Sequence, residues 1–413
     1  MHNIYFYLII AFYVYDFVSG QLLSYLNRTR MAPVPPEELE GIYDAAEYAK
    51  QQTYQMENDR FGLVSGGFSF AVVMALLLCG WAGRIDAFIR MYTSHYLLLP
   101  LSFFFALTAL SSIMDIPFDW YDTFVIEEKF GFNRMTPRTF ILDWLKSFAL
   151  AVALSGALLT GVLVVYKYAQ GWFWLLAWIV VSAFSLIVAF FYSEWIVPIF
   201  NRQTPLEEGK LRSAIEDFTQ RASYPIQNIY MIDGSRRSTK SNAYFTGFGK
   251  KKRIVLYDTL IDDLTTEEIV AVLAHEIGHY KMKHILSTVT ISLASTGFIF
   301  WLFSHLMNSP SLAHALGGIE PSFHLNMVGF SLLYIPLSDA LDLLTNCISR
   351  KHEYEADNFA ARHGTGDALI SALKKICSKS LANLTPHPIV VFACYSHPTL
   401  LQRISNIKRQ MSM

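Results

Sequence analysis

A short motif near the middle of the chain carries the residue types that metal-dependent hydrolysis needs. His275, Glu276 and His279 form the pattern His-Glu-x-x-His. Positions i and i+4 lie on one face of an α-helix, so both imidazoles can reach one metal ion, and zinc is the metal that this pattern favours. Glu276 then lies beside the metal, where it can take a proton from an attacking water molecule. Chance would produce about 0.03 such matches in a chain of this composition, so the motif predicts a zinc site.

A catalytic zinc ion takes three protein ligands, and the third must come from elsewhere in the chain. The segment from Ser349 to Ala360 offers His352, Glu353, Glu355 and Asp357. On a helix, Glu353 and Asp357 share a face and Glu355 points away from it. This spacing suits one carboxylate on the metal and one behind it that orients a ligand. From the residues alone, the segment is equally well read as the solvated start of a helix.

The residues around the motif supply the elements that would position it. Thr265 is a good helix N-cap, and Glu268 follows three residues later, as in a capping box. Upstream, residues 243–245 and 254–257 are rich in strand formers and are separated by Gly247 to Gly249 and a basic run, which predicts a β-hairpin. An edge strand can bind an extended peptide. A purely structural hairpin is the alternative.

The rest of the chain has the composition of a membrane protein. Of its 413 residues, 53% are hydrophobic and 16% are charged, with a mean hydropathy of +0.31. Soluble proteins typically have about 25% charged residues. The 33 basic and 34 acidic residues give a net charge of −1, which argues against a nucleic-acid partner. Four scattered cysteines do not suit a disulfide scaffold.

About seven transmembrane helices are predicted, because a bilayer core takes roughly 20 helical residues. Five runs without charged residues are long enough, and they are 61–83, 91–114, 147–166, 168–193 and 285–319. Two further runs contain acids: 4–26 with Asp16, which we interpret as a retained span rather than a signal peptide, and 321–348 with Asp339 and Asp342. Pro336 is a candidate helix break before the last two acids. We interpret His305, His314 and His324 as interfacial.

The same runs divide the chain into four parts. Residues 1–200 are expected to hold membrane helices 1–5 with polar loops, and residues 285–348 membrane helices 6–7. Residues 201–284 form a catalytic domain with the zinc-binding helix, and residues 349–413 complete it with the third ligand. The fold class is therefore mainly α, a polytopic membrane protein with a metalloprotease domain that contains a small β-hairpin or sheet.

Several stretches of the chain resemble one known family. His-Glu-Ile-Gly-His in a membrane protein, followed by Ser-Arg-Lys-His-Glu-Tyr-Glu-Ala-Asp, resembles the gluzincin family of membrane zinc metalloproteases that contains the type I CaaX prenyl proteases. Further stretches that resemble this family are 124–133, 198–202, 205–209, 241–245, 253–258 and 396–398 with Arg403. They are more similar to the CaaX-protease branch than to the shorter stress-response membrane proteases.

The resemblance implies a set of site residues. His275, His279 and Glu353 would bind one zinc ion per chain, and Glu276 would be the general base. Its further implications are that Asp357 and Arg403 support the ligand shell, that His397 stabilises the transition-state oxyanion, and that the substrate backbone binds along a strand edge at Asn242, Ala243 and Tyr244. It also implies a ring of seven membrane helices around a large internal chamber.

The expected activity is cleavage of peptide bonds near the C-terminus of prenylated (CaaX) proteins or of similar membrane-delivered peptides. The expected partners are this substrate and membrane lipid, with no nucleic acid, and we expect a monomer. One alternative is a broader quality-control protease of membrane proteins. Another is a transporter or scaffold with structural zinc, although a structural site has no use for Glu276 beside the metal.

The excess of Lys and Arg in residues 201–284 favours the cytoplasmic side for the catalytic domain. The segment Gln410 to Met413 carries no recognisable endoplasmic-reticulum retention signal. This counts against a eukaryotic organelle, and the expected location is a bacterial inner membrane or, if the protein is eukaryotic, the endoplasmic reticulum.

Overall fold

The architecture is that of a computed structural model, which describes residues 2–31, 34, 41–224, 228–246 and 253–413. Its first half is helical. The helices in chain order are α1 (Ile4–Arg28), α2 (Ala45–Leu78), α3 (Trp81–Arg90), α4 (Leu98–Tyr121), α5 (Glu128–Phe130), α6 (Pro137–Tyr168), α7 (Phe173–Phe191) and α8 (Val197–Phe200). The second half adds strands and ten more helices to the described part of the chain. They are β1 (Gln203–Pro205), α9 (Lys210–Arg221), β2 (Asn228–Ile232), β3 (Ala243–Thr246), β4 (Arg253–Tyr257), α10 (Asp258–Asp263), α11 (Thr266–Lys281), α12 (His284–Ser304), α13 (Pro310–Ala315), α14 (Phe323–Leu333), α15 (Ile335–Arg362), α16 (Gly366–Lys379), α17 (Pro388–Cys394) and α18 (Leu400–Met411).

Six helical stretches among the described residues are long and apolar enough to cross a membrane. They contain α1, α2, α4, α6, α7 and α12, and the bent pair α14–α15 makes a seventh if it is counted as one span. The predicted mainly α membrane fold with about seven spans is confirmed. The bend of 56° falls just before Pro336, which lies in the first turn of α15, where a missing N–H leaves no hydrogen bond unmade.

At least two predicted spans have the wrong limits, because α2 ends at Leu78, inside the run 61–83, and the run 91–114 starts before its helix. Residues 91–97 form a turn, and α4 starts only at Leu98. In this turn the hydroxyl of Thr93 accepts a hydrogen bond from the backbone N–H of His95 at 3.2 Å. A side chain that bonds the nearby backbone in this way competes with helix formation, which explains why the apolar run and the helix do not coincide.

Two membrane helices end in wider π-helical turns that point acidic side chains at the polar domain. These turns are Asp122–Glu127, after α4, and Tyr192–Ile196, after α7. Glu127 forms an ion pair with Lys240 at 2.8 Å, and Glu194 forms one with Arg253 at 2.9 Å. The membrane helices and the polar domain are thereby connected by charge pairs that are partly shielded from solvent.

A four-stranded sheet lies at the start of the polar domain, within the described residues, in the order β1-β2-β4-β3. β3 and β4 are antiparallel, with Tyr244 opposite Val255, so the predicted hairpin is confirmed. Its predicted turn, residues 247–249, lies outside the described residues. The sheet is larger than that hairpin because β2 pairs with β4 in parallel and β1 adds to β2. This order places β3 at an edge.

The main core of the polar domain surrounds α11. Ile269, Leu273 and Ile277 are at most 1% exposed, and they pack with side chains of the sheet and of α9, α15, α16 and α18. A helix apolar on most of its faces must lie inside a domain. The helix that carries the His-Glu-x-x-His motif is therefore the central element of this domain.

A buried hydrogen bond between Asp86 and His324 joins the short helix α3 to α14, outside the polar domain. The Asp86 carboxylate lies 2.7 Å from Nε2 of His324, and both side chains are almost fully buried. The burial of His324 was not expected from the sequence, and the carboxylate on another helix compensates for it. His305 and His314 are exposed.

Candidate metal centre

The helix that carries the motif starts where the sequence predicts. The hydroxyl of Thr265 accepts from the N–H of Glu268 at 3.3 Å, and the Glu268 carboxylate accepts from the N–H of Thr265 at 2.8 Å, which confirms the capping box. Glu268 also accepts hydrogen bonds from Ser371 at 2.6 Å and from Lys375 at 2.8 Å, both on α16. The start of α11 is thus fixed in register against a neighbouring helix.

Three predicted ligand side chains meet in one cluster. The Nε2 atoms of His275 and His279 are 3.1 Å apart on the same face of α11. Glu353 of α15 reaches the same point, with one carboxylate oxygen 3.5 Å from Nε2 of His275 and the other 3.3 Å from Nε2 of His279. The ligand atoms of the three residues lie within 4.8 Å of one another.

The carboxylate of Glu353 fits a metal better than it fits an ordinary polar contact. The residue is 4% exposed, and its Oε2 atom makes no hydrogen bond among the described residues, although Nη1 of Arg403 and Nε2 of His275 each lie 3.5 Å from it. A buried carboxylate oxygen without a partner is costly, and an ion is one of the ordinary explanations for it. The residues present therefore fit a metal ion bound between two imidazoles and one carboxylate.

Behind His275 lies the pair that the resemblance implies. Nδ1 of His275 is 2.9 Å from the carboxylate of Asp357, which is fully buried on α15. Arg403 of α18 donates two hydrogen bonds to this carboxylate, at 2.7 and 3.0 Å. Such a fork holds the carboxylate in one orientation. The carboxylate in turn holds the imidazole with Nε2 directed at the cluster.

The charges around His275 change its pKa in the metal-free protein. Burial and the nearby Arg403 charge disfavour the protonated ring. The nearby carboxylates of Asp357 and Glu353 outweigh both effects and raise the pKa of His275 to about 9. The cluster is thus electrostatically arranged to hold positive charge at this position.

Glu276 and His397, the two residues to which the resemblance assigns catalysis, are not buried. Glu276 follows His275 on α11 and is partly exposed. Nε2 of His397 is 3.4 Å from Glu353, while the side chain is 63% exposed and its Nδ1 shares a hydrogen bond with Ser396 at 2.9 Å. The structure therefore brings His397 to the cluster from the C-terminal segment and leaves its ring accessible to a bound molecule.

The strand edge at Asn242 to Tyr244 has one outward-facing backbone position. The C=O of Asn242 accepts from the N–H of Tyr257 at 3.1 Å, so the alternation of an antiparallel ladder turns the N–H and C=O of Ala243 towards the free edge. The side chain of Asn242 is exposed and accepts from the Ala243 N–H at 2.8 Å. The ring of Tyr244 packs instead against the cluster that contains Val255.

Beside the cluster lie His284, which was not singled out from the sequence, and Glu355 and His352, which were named only among the candidates for the third ligand. Nδ1 of His279 lies 3.1 Å from Nδ1 of His284, and Nε2 of His284 lies 2.9 Å from Glu355. The ring of His352 stacks on that of His284 with a centroid distance of 4.0 Å. The spacing of His284, five residues after His279, was a signal that could have drawn attention to it.

Two family models match consecutive parts of the chain. The model described as CAAX prenyl protease N-terminal, five membrane helices, matches residues 24–202. The model of peptidase family M48 matches residues 205–411. The second match includes the whole cluster described above.

Known proteins are similar to the chain over nearly its whole length. CAAX prenyl protease 1 of Saccharomyces cerevisiae is 33% identical, over 96% of this chain and 94% of its own. The CAAX prenyl protease 1 homolog of Homo sapiens is 31% identical, over 91% of this chain and 88% of its own. The crystal structure of S. mikatae Ste24p superposes with a TM-score of 0.91 at 31% identity, covering 98% of this chain and 99% of the other.

Proposed function

Because this chain belongs to peptidase family M48 and to its CAAX prenyl proteases, we propose that it removes C-terminal residues from prenylated proteins by zinc-dependent hydrolysis. The chain is a multi-pass membrane metalloprotease. We assign the metal as zinc, the substrate as a prenylated C-terminus, and the chemistry to the cluster around Glu353.

The observation that supports this assignment most strongly is the geometry of the three ligand side chains. Two ligands bound to tetrahedral zinc at about 2.0–2.1 Å lie about 3.3 Å apart. In the cluster the two Nε2 atoms are 3.1 Å apart, and those of His279 and His275 lie 3.3 and 3.5 Å from different oxygens of Glu353. One ligand atom from each residue can be chosen so that all three lie within 4.8 Å of one another, which is close to that spacing. Two imidazoles and one carboxylate are also the donor set of catalytic zinc sites, which keep a fourth position open. His275, His279 and Glu353 would therefore hold one zinc ion.

The surrounding side chains would then divide the work of peptide hydrolysis. When bound, zinc supplies a Lewis acid that polarises the scissile carbonyl and makes water easier to deprotonate. Glu276 takes the proton of the attacking water and passes it to the leaving amine. His397, accessible and 3.4 Å from Glu353, donates a hydrogen bond to the oxyanion. The loss of one such donor typically costs about 3–4 kcal/mol of transition-state stabilisation.

Asp357, which is fully buried, and Arg403, whose side chain is 12% exposed, would keep one ligand in its productive orientation. Asp357 accepts from Nδ1–H of His275, so the lone pair of Nε2 faces the metal. Arg403 holds the Asp357 carboxylate with two hydrogen bonds and compensates its charge. We therefore assign Asp357 and Arg403 as positioning residues.

The free edge of β3 supports backbone recognition of an extended substrate. The outward C=O of Ala243 can accept a hydrogen bond from a peptide added to the sheet, and the outward N–H can donate one once the side chain of Asn242 turns away from it. The exposed amide of Asn242 stands beside them and can bond the same peptide. Tyr244 contributes to this edge by keeping β3 in register with Val255 rather than through its ring.

The membrane and the orientation are also part of the proposal. Basic residues of the 201–284 region support a cytoplasmic catalytic domain. The relatives named above come from eukaryotes, which favours the endoplasmic reticulum over a bacterial inner membrane. Membrane lipid is then a constant partner.

A peptide assay tests the substrate assignment. Purified protein in lipid vesicles is offered a farnesylated CaaX peptide and the same peptide without the lipid, each with zinc, with a chelator, and with zinc restored. We expect cleavage of the farnesylated peptide that the chelator abolishes and zinc restores. Equal cleavage of both peptides would favour the broader quality-control protease. A lack of any effect of chelation would contradict zinc catalysis.

A further inference from the structure

A chain of hydrogen bonds extends from the second ligand histidine away from the metal. Nδ1 of His279 is 3.1 Å from Nδ1 of His284, and Nε2 of His284 is 2.9 Å from a carboxylate oxygen of Glu355. The three side chains come from α11, α12 and α15. This arrangement parallels the one behind His275, where Asp357 occupies the corresponding place.

Only one placement of protons satisfies the whole chain with neutral rings. Glu355 accepts, so His284 carries its proton on Nε2 and offers a lone pair on Nδ1. His279 must then carry its proton on Nδ1 and donate it to His284. The lone pair of Nε2 of His279 is left facing His275 and Glu353, which is the tautomer that a metal ligand needs.

His284 is held in this position by more than its two hydrogen bonds. It is 4% exposed, and the ring of His352 stacks on it at 4.0 Å with an interplanar angle of 13°. Lys283, directly before it, has a φ of 61°, a left-handed conformation that costs a residue with a side chain roughly 1 kcal/mol. This sharp connection from α11 to α12 brings the ring of His284 back to that of His279.

The sequence positions of the supporting residues are also informative. His352 and Glu355 flank Glu353 on α15, so one helical turn supplies the third ligand and both contacts to His284. A movement of this turn would displace a ligand and a ligand's support together. Buried histidine is expensive unless its ring nitrogens are bonded, and an apolar residue would fill the same space without that requirement.

We propose that His284 and Glu355 are positioning residues that fix the tautomer and orientation of His279, as Asp357 and Arg403 do for His275. This assignment rests on the proposed zinc-binding role of His279. Neither residue touches the metal or the substrate, so their removal lowers metal affinity and alters the geometry of the bound ion. His352 assists by stacking.

Metal binding by variants of the full-length protein tests the role. The apparent zinc dissociation constant is measured by competition with a chromophoric chelator, and the visible spectrum of the cobalt-loaded protein reports ligand geometry. We expect about 10–100-fold weaker zinc binding and a changed cobalt spectrum for Glu355→Ala and His284→Phe. Glu355→Gln retains an acceptor for His284 and should recover most of the affinity. Lys351→Ala is the matched control, since Lys351 is 75% exposed and meets only the outer side of Glu355, at 3.8 Å.

The outcomes separate this role from the proposed function. A wild-type protein that binds zinc and cleaves peptide, with His284→Phe and Glu355→Ala unchanged in affinity and spectrum, would overturn the positioning role alone. A wild-type protein without zinc affinity would overturn both. If His284→Phe does not fold, the comparison of Glu355→Ala with Glu355→Gln decides, because the side chain of Glu355 is 36% exposed and tolerates replacement. Equal losses in the Ala and Gln variants would contradict the hydrogen-bond argument.

Discussion

Gly278 of α11 lies directly against Ala356 of α15. A β-carbon at position 278 would meet the Ala356 Cα at 3.0 Å, and the Phe359 Cβ at the same distance. These are backbone and near-backbone atoms of the helix that carries Glu353, and they cannot rotate away. The glycine inside the His-Glu-x-x-His motif therefore sets how closely the two helices that carry the proposed zinc ligands approach each other.

Gly278→Ala is expected to push α11 and α15 apart. The overpacked contact should cost about 1–3 kcal/mol, and the displacement of Glu353 should weaken zinc binding. Thermal unfolding and a zinc competition titration measure the two effects. Gly62→Ala is the control, because a β-carbon at position 62 meets nothing within 4 Å. Normal stability and zinc affinity of Gly278→Ala would show that the helices can adjust.

Two replacements of Arg403 should distinguish the contribution of its charge from that of its two hydrogen bonds to Asp357. Arg403→Lys keeps the charge but loses the paired hydrogen bonds to Asp357, and we expect about tenfold weaker zinc binding in a folded protein. Arg403→Met leaves a buried carboxylate unpaired, which typically costs about 3–5 kcal/mol. Zinc titration and thermal unfolding check both, with Arg409→Met, an exposed position on the same helix, as control. Equal zinc affinity and stability of Arg403→Lys and the wild type would contradict a role for the paired hydrogen bonds to Asp357.

Zinc binding should release a proton from His275. The pKa of this ring is about 9 in the metal-free protein, against a usual 6.5, so it is protonated at pH 7. A zinc ligand must be neutral, so apparent affinity should rise about tenfold per pH unit between pH 7 and 8. Calorimetry in buffers of different ionisation enthalpy should give about one proton released per zinc. Zinc binding without proton release would contradict the proposal that His275 is protonated in the metal-free protein.

The raised pKa of His275 also predicts how the stability of the metal-free protein changes with pH. A pKa raised in the folded state stabilises the fold below pH 6.5, and this contribution is lost as the pH rises through about 9. Asp357→Gln removes the carboxylate that favours protonation of His275. Thermal unfolding of the chelated protein should therefore show a smaller loss of stability between pH 6.5 and about 9 in this variant than in the wild type.

Glu268 should stabilise the start of the zinc-binding helix in a pH-dependent way. Burial raises the pKa of Glu268, but hydrogen bonds from Lys375, Ser371 and the Thr265 N–H lower it below its usual value. Its contribution is therefore present above pH 4.5 and lost as the pH falls below that. Glu268→Gln should cost about 1–3 kcal/mol at pH 7 and less at pH 4. A loss independent of pH would point to packing instead.

The metal cluster was accessible from the sequence because its parts are local and periodic. His275 and His279 are one helical turn apart, and Thr265 is a recognisable N-cap at the start of their helix. Spacing alone could not choose the third ligand among the candidates of 349–360, because the choice depends on how two helices meet. The resemblance to a family made that choice for Glu353, and the structure brings this residue to the two histidines.

The support behind His279 was not accessible in this way. Glu355 was expected to point away from the face shared by Glu353 and Asp357, and in that direction it meets His284, 71 residues earlier in the chain. A contact of this kind leaves no periodic trace. The burial of His324 was missed for the same reason, since its partner Asp86 lies 238 residues away.

The most direct measurement is cleavage of a farnesylated CaaX peptide by Glu276→Gln beside the wild type, with the zinc content of both determined. Glu276 is proposed as the base and not as a ligand. The variant should therefore bind about one zinc ion per chain and lose about 10²–10⁴-fold in cleavage rate. A zinc-loaded variant that cleaves at the wild-type rate would contradict the proposed mechanism.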